Sequence, residues 1–147
     1  MPTPHQTLCH CAALRQATRQ VTQLYDTALA DTGLRVTQYS LLSALSRRGP
    51  STVQELAGEL VMDRSTLGHN LRPLERDGLV ALGVDATDKR AKRLSLTAAG
   101  KQRLNAARPA WQKAQADFEA RFGKPEAEVL RSLLSQAVAS TREQTLA

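Results

Sequence analysis

The chain has 147 residues and carries 20 lysines and arginines against 14 aspartates and glutamates, a formal charge of +6 at pH 7. The length predicts a single domain and the charge a polyanionic partner. No stretch approaches the roughly 18 apolar residues of a membrane span, and residues 1–7 lack a secretion signal's charged and apolar regions, so a cytoplasmic protein without membrane contact is expected. Three histidines, no phosphate-binding glycine loop and no Cys-x-x-Cys pair leave no catalytic constellation and no cofactor site, so an enzyme is not expected.

The first informative cluster is Cys9-His10-Cys11. A structural disulfide is not expected in a cytoplasmic protein, and in a helix two residues apart point about 200° away from each other. Cys-x-Cys with His5 and His10 is a poor match to structural zinc spacing, so no metal is expected. Arg15 follows Cys11 by one turn on the same face, and a helix start favours an anion, which together describe a reactive thiol. The alternative is that Cys11 is a small core residue beside Leu8 and Leu14. From there Leu14, Ala17, Val21, Leu24 and Ala28 form the seam of a helix that Gly33 closes. A second helix, about residues 37–47, carries Tyr39, Leu41, Leu42 and Leu45 and stops at Gly49-Pro50.

Next comes a pair of helices at helix-turn-helix spacing. Thr52 and Glu55 form a capping box, with Ser51 and Gln54 offering the same device one residue earlier, and Val53, Leu56, Ala57 and Leu60 supply an apolar stripe. Val61, Met62 and Asp63 then lead into a helix over residues 63–78 with Asp63 as N-cap. At about 100° per residue, Leu67, Leu71 and Leu74 share the buried face, while Ser65, His69, Arg72 and Arg76 gather within about 40° on the opposite side. A hydroxyl, an imidazole and two guanidiniums on one face can bond base edges and phosphates in a major groove. Pro73 inside this helix removes one backbone hydrogen bond and should kink or loosen the turn above His69.

Gly78 ends that helix, and residues 79–82 and 93–97 read as strands flanking a charged tip over 85–92; Lys89, Arg90, Lys92 and Arg93 make four of the five residues from 89 to 93 basic. A basic tip of this kind reaches phosphates or a narrow minor groove. Thr97 caps a long helix with Leu104, Ala107, Trp111, Ala114, Phe118 and Phe122 as its stripe and Pro109 within it, ending at residues 123–125. A last helix over 125–141 presents Val129, Leu130, Leu133, Leu134, Ala137 and Val138. This is more apolar helix surface at the two ends than a small core covers, so pairing of two copies across a two-fold axis is expected. It would set two recognition helices about 34 Å apart on an inverted repeat of double-stranded DNA.

The run Asp88-Lys89-Arg90-Ala91-Lys92-Arg93-Leu94-Ser95-Leu96-Thr97-Ala98-Ala99-Gly100, with Asp63-Arg64-Ser65-Thr66-Leu67 and Leu74-Glu75-Arg76-Asp77-Gly78-Leu79-Val80 before it, resembles the MarR family of bacterial transcription regulators. The resemblance covers nearly the whole chain. It implies a mainly α fold with a small β wing: one domain over 1–147, terminal dimerisation helices at 7–32 and 101–147, and a winged helix-turn-helix at 37–100. It also implies DNA contacts from Arg64, Ser65, Thr66, His69, Arg72, Arg76, Lys89, Arg90 and Lys92, with Arg90 in the minor groove and Asp88 orienting it. The function implied is a dimeric regulator, a repressor released by a small ligand or by thiol oxidation. Cys11, with Arg19 and Tyr25 following, is placed like the sensing cysteine of the family's organic-hydroperoxide branch, although Arg15 and Val36 stand where that branch has two further tyrosines. The reading from another class is a winged helix that binds protein, whose recognition face should be apolar or acidic.

Overall fold

The computed structural model describes residues 8–84, 87–88, 90 and 92–142. In chain order these are α1 (His10–Leu29), a 3-10 turn (Ala30–Thr32), α2 (Val36–Arg48), β1 (Ser51–Thr52), α3 (Val53–Leu60), α4 (Arg64–Arg76), β2 (Val80–Val84), β3 (Lys92–Leu96), α5 (Ala98–Phe122) and α6 (Lys124–Arg142). They form two compact units, Met1–Trp111 and Gln112–Ala147. No helix among the described residues is long and apolar enough to cross a membrane.

The first unit is built on a leucine core. Leu29, Leu34, Leu41, Leu42, Leu45, Leu56, Leu67, Leu71, Leu74, Leu79, Leu94 and Leu104 are all buried in it, with Tyr39. Two aromatics supplement the leucines: the rings of Tyr39 and Trp111 stack at 5.6 Å between centroids and 14° between planes. At α1, Gly33 takes the left-handed φ of 76° that closes the 3-10 turn, as its position in the sequence implies. Asp26 then reaches from α1 to accept the Val36 backbone N–H at 2.8 Å, satisfying a donor at the start of α2.

The α3 cap uses one of the two predicted boxes. Glu55 N–H donates to Thr52 Oγ1 at 3.1 Å and Thr52 N–H to Glu55 Oε2 at 3.2 Å. Ser51 does not cap: it is buried, and its hydroxyl donates to the Gly49 carbonyl at 2.9 Å. It belongs instead to a strand that periodicity does not reveal, β1, two residues long and antiparallel to β3 through Ser51 opposite Leu94 and Thr52 opposite Arg93. The sheet order is β1-β3-β2. The hairpin register sets Val80 opposite Leu96 and Leu82 opposite Leu94; Val80 and Leu94 are buried in the core and Leu96 packs against it, while Leu82 stays exposed. β2 runs to Val84 and starts after Leu79, and β3 starts at Lys92, a shift from the expected strands that lengthens the projecting part of the hairpin.

Neither proline inside a helix ends it: α4 runs through Pro73 and α5 through Pro109. The start of α5 is fixed by Thr97. Its hydroxyl donates to the Gly78 carbonyl at 2.6 Å and accepts the Gly100 N–H at 3.0 Å, so one side chain joins the exit of α4 to the first turn of α5. Gly100 leaves no room for a side chain, since a Cβ there would collide with the Leu79 carbonyl oxygen and lie 2.7 Å from Leu96 Cδ1. In the second unit Phe118 and Phe122 stack at 5.3 Å, and α6 leaves Val129, Leu133, Leu134 and Val138 exposed.

Candidate nucleic-acid interface

Helix α4 is set up by its cap. Asp63 Oδ1 accepts the Thr66 backbone N–H at 2.8 Å and Oδ2 accepts the Thr66 hydroxyl at 2.8 Å. These bonds, the backbone one first, hold the Asp63 carboxyl below its ordinary pKa, because each is made to the charged form. Leu67, Leu71 and Leu74 anchor the inner face, at 0%, 3% and 1% exposure. Arg64, Ser65, Thr66, His69, Arg72 and Arg76 are all exposed. Arg64 Nη2 donates to Gln54 Oε1 at 3.2 Å, tying the first residue of α4 to α3. Arg76 lies 3.7 Å from Asp77, an exposed pair that costs little to exchange for another anion. Among the described residues no side-chain hydrogen bond holds Ser65, His69 or Arg72.

The brace behind this helix is ionic. Arg48 Nη1 meets Glu59 Oε2 at 2.8 Å, its Nε donates to Ser51 Oγ at 3.3 Å, and Arg47 Nη2 meets Glu59 Oε1 at 3.2 Å. The end of α2 is thereby fastened along α3. The turn from α3 to α4 contains Val61 at φ 52° and ψ 49°, the one described non-glycine residue with positive φ. Its N–H and that of Met62 close the helix onto the Ala57 carbonyl region, the role that usually falls to glycine.

At the wing, Asp88 Oδ1 accepts the Arg90 backbone N–H at 3.0 Å, so Asp88 shapes the chain at Arg90 rather than gripping its guanidinium. Arg90 and Lys92 are exposed; Lys89 lies outside the described residues. Arg93, read from sequence only as one of a basic run, instead sends Nη1 to the Pro50 carbonyl at 3.0 Å and straps β3 to the link before α3. No local signal announces a bond spanning 43 residues.

The cysteines depart from the helical spacing expected of the pair and from the core alternative for Cys11. Cys9 is not inside a helix but is the N-cap of α1, at φ −83° and ψ 114°, with its Sγ accepting the Ala12 N–H at 3.4 Å. The angle between two helical positions therefore does not apply to Cys9 and Cys11. Cys11 is exposed, as is Leu14, and Leu8 is 96% exposed, so it is no core residue. Arg15 is exposed one turn on, and Tyr25 is half-buried on the same helix. No group of three or more His, Cys, Asp and Glu that could hold a metal occurs among the described residues.

Comparison with known proteins adds three findings. Residues 32–91 match the MarR family. The chain is 31% identical over 121 residues to the transcriptional regulator HosA of Escherichia coli O127:H6, covering 82% of this chain and 88% of HosA. Among solved structures it resembles the Mycobacterium tuberculosis transcriptional regulator MosR in complex with DNA, at 41% identity and a TM-score of 0.79 over 91% of this chain and 98% of that one. It also resembles a transcriptional regulator of Pseudomonas aeruginosa, at 29% identity and 0.79 over 87% and 96%.

Proposed function

Given that the chain belongs to the MarR family and is a DNA-binding transcriptional regulator, we propose that it acts as a homodimer on an inverted repeat. In this reading α4 lies in the major groove and the hairpin tip beside the adjacent minor groove. The observation that carries it is the two-sided α4: three leucines buried on one side, and Ser65, His69, Arg72 and Arg76 exposed together on the other. Thr66 gives both its N–H and its hydroxyl to Asp63 and so positions the helix start, while Arg64, engaged with Gln54 through one nitrogen, presents its remaining donors to phosphate. Arg90, Lys89 and Lys92 serve the wing, with Asp88 shaping its turn. The DNA-binding part spans 37–100, the dimerisation helices 7–32 and 101–147, and the protein works in the cytoplasm without a catalytic step. A winged helix that docks on protein fits less well, because nothing apolar or acidic dominates the outer face of α4.

Repression relieved by a signal is the regulatory mode we assign. Exposure of Cys11 favours an oxidant as that signal, with Arg15 supplying positive charge one turn away and Tyr25 further along the helix. Oxidation would make a small thiol polar or bulky on the dimerising helix. The test is a duplex selected from random DNA by the purified protein. Arg72→Ala should lose about 1–3 kcal/mol at one base position per half-site if Arg72 pairs a base, or weaken all sequences equally if it holds phosphate. Equal affinity of the wild type for whole and half sites would remove the dimer. An organic peroxide should release wild-type protein and leave Cys11→Ser bound; a complex that survives confirmed Cys11 oxidation would leave a non-covalent ligand as the signal.

A further inference from the structure

Of the two prolines inside helices, Pro109 in α5 and Pro73 in α4, Pro73 lies on the helix that carries the exposed polar face. Pro73 is the tenth of thirteen residues in a continuous α-helix, far beyond the first turn where proline is tolerated. Ala, Leu, Arg or Glu would each make a better helix there. Its ring has no N–H, so the His69 carbonyl loses the donor that the helix would otherwise supply four residues on, and the ring crowds that oxygen outward. Where the oxygen points follows from the helix itself. With Leu67 as zero, His69 lies at about 200° and Pro73 at about 240°. The carbonyl between them therefore opens beside Ser65, His69, Arg72 and Arg76 and away from the three buried leucines. His69 is exposed and Pro73 half-buried.

We infer that Pro73 determines sequence specificity by freeing the His69 carbonyl oxygen as a fixed acceptor for a DNA amino group in the major groove. The side chains on that face are donor-rich: the two arginines can only donate, while Ser65 and a neutral His69 imidazole can each accept as well, both through side chains that rotate. The hydrogen-bond donors on major-groove edges are the amino groups of adenine and cytosine. A backbone carbonyl held by a helix meets such a group, directly or through one bridging water, without the rotamer freedom of a side chain. It complements the arginines, which cannot accept.

The inference rests on α4 being the groove-reading helix, and its test separates the two. Every base pair of the selected operator is substituted in turn and affinity measured for wild type, Pro73→Ala and Pro73→Gly. Both variants restore the N–H and return the carbonyl to the helix. They differ in helix propensity, so their thermal midpoints should separate, with Pro73→Ala higher than wild type. Both should nonetheless lose discrimination of roughly tenfold at the same adenine- or cytosine-bearing position in each half-site, and keep it elsewhere. Variants that read every position as wild type does would overturn the inference while leaving the DNA-reading helix intact. A wild type that prefers no sequence over random duplex would overturn both.

Discussion

Val61 shows what a single residue gives up for a turn. A β-branched side chain in the left-handed region costs about 1–2 kcal/mol in backbone sterics, and at 55% exposure little burial offsets it. Glycine would remove that cost while losing about 0.5–1 kcal/mol to the greater freedom of the unfolded chain. Val61→Gly should therefore stabilise the protein by roughly 0.5–1 kcal/mol net, read as a higher urea midpoint at unchanged m. An unchanged or lower midpoint would mean that Val61 packs usefully in the turn. Cys9 is a second residue whose role is not evident from its type: a sulfur stands where Ser, Thr, Asp or Asn usually accepts the cap bond.

The elements that build the site are joined by a few side-chain bonds at their ends. Thr97 bridges Gly78 and Gly100, Arg93 holds β3 to Pro50, and Arg48 spans α2 and α3. The closest of these junctions is α5 against Leu79. Alanine is a better helix former than glycine by about 1 kcal/mol, yet at position 100 its Cβ would meet a backbone oxygen that cannot rotate away. Overpacking of this kind costs about 1–3 kcal/mol, so Gly100→Ala should lower the thermal midpoint despite the propensity gain. A rise would show that the first turn of α5 shifts freely from the exit of α4.

For the whole molecule, the second unit supplies the clearest reason for two copies. Val129, Leu133, Leu134 and Val138 are 58%, 55%, 39% and 36% exposed on one helix, a run that a monomer would leave to water. Leu133→Glu places a charge in that run without touching α4 or the wing. It should give a monomer by light scattering that remains folded by circular dichroism and binds a whole operator no better than a half site. A dimer that survives the change would move the two-fold contact elsewhere.

Where the sequence was sufficient, the physics was local. The leucine face of α4, its Asp63 cap, the Thr52 and Glu55 box, the Gly33 and Gly78 stops and the hairpin all follow from helix and strand periods and from residues three or four apart. Folding decided what depends on residues distant in the chain. Ser51 looks like a cap until Leu94 pairs with it across 43 positions and buries it; Arg93 looks like one more phosphate ligand until Pro50 lies beside it. Asp26 acquires its partner only because α1 and α2 meet. Sequence patterning determined which faces are buried and which are charged, because the side chains of one helix turn or strand repeat see one another before the chain folds. Tertiary structure alone decided which of those polar groups brace one element against another and which remain open to solvent, because a hydrogen bond's partner is set by proximity in space.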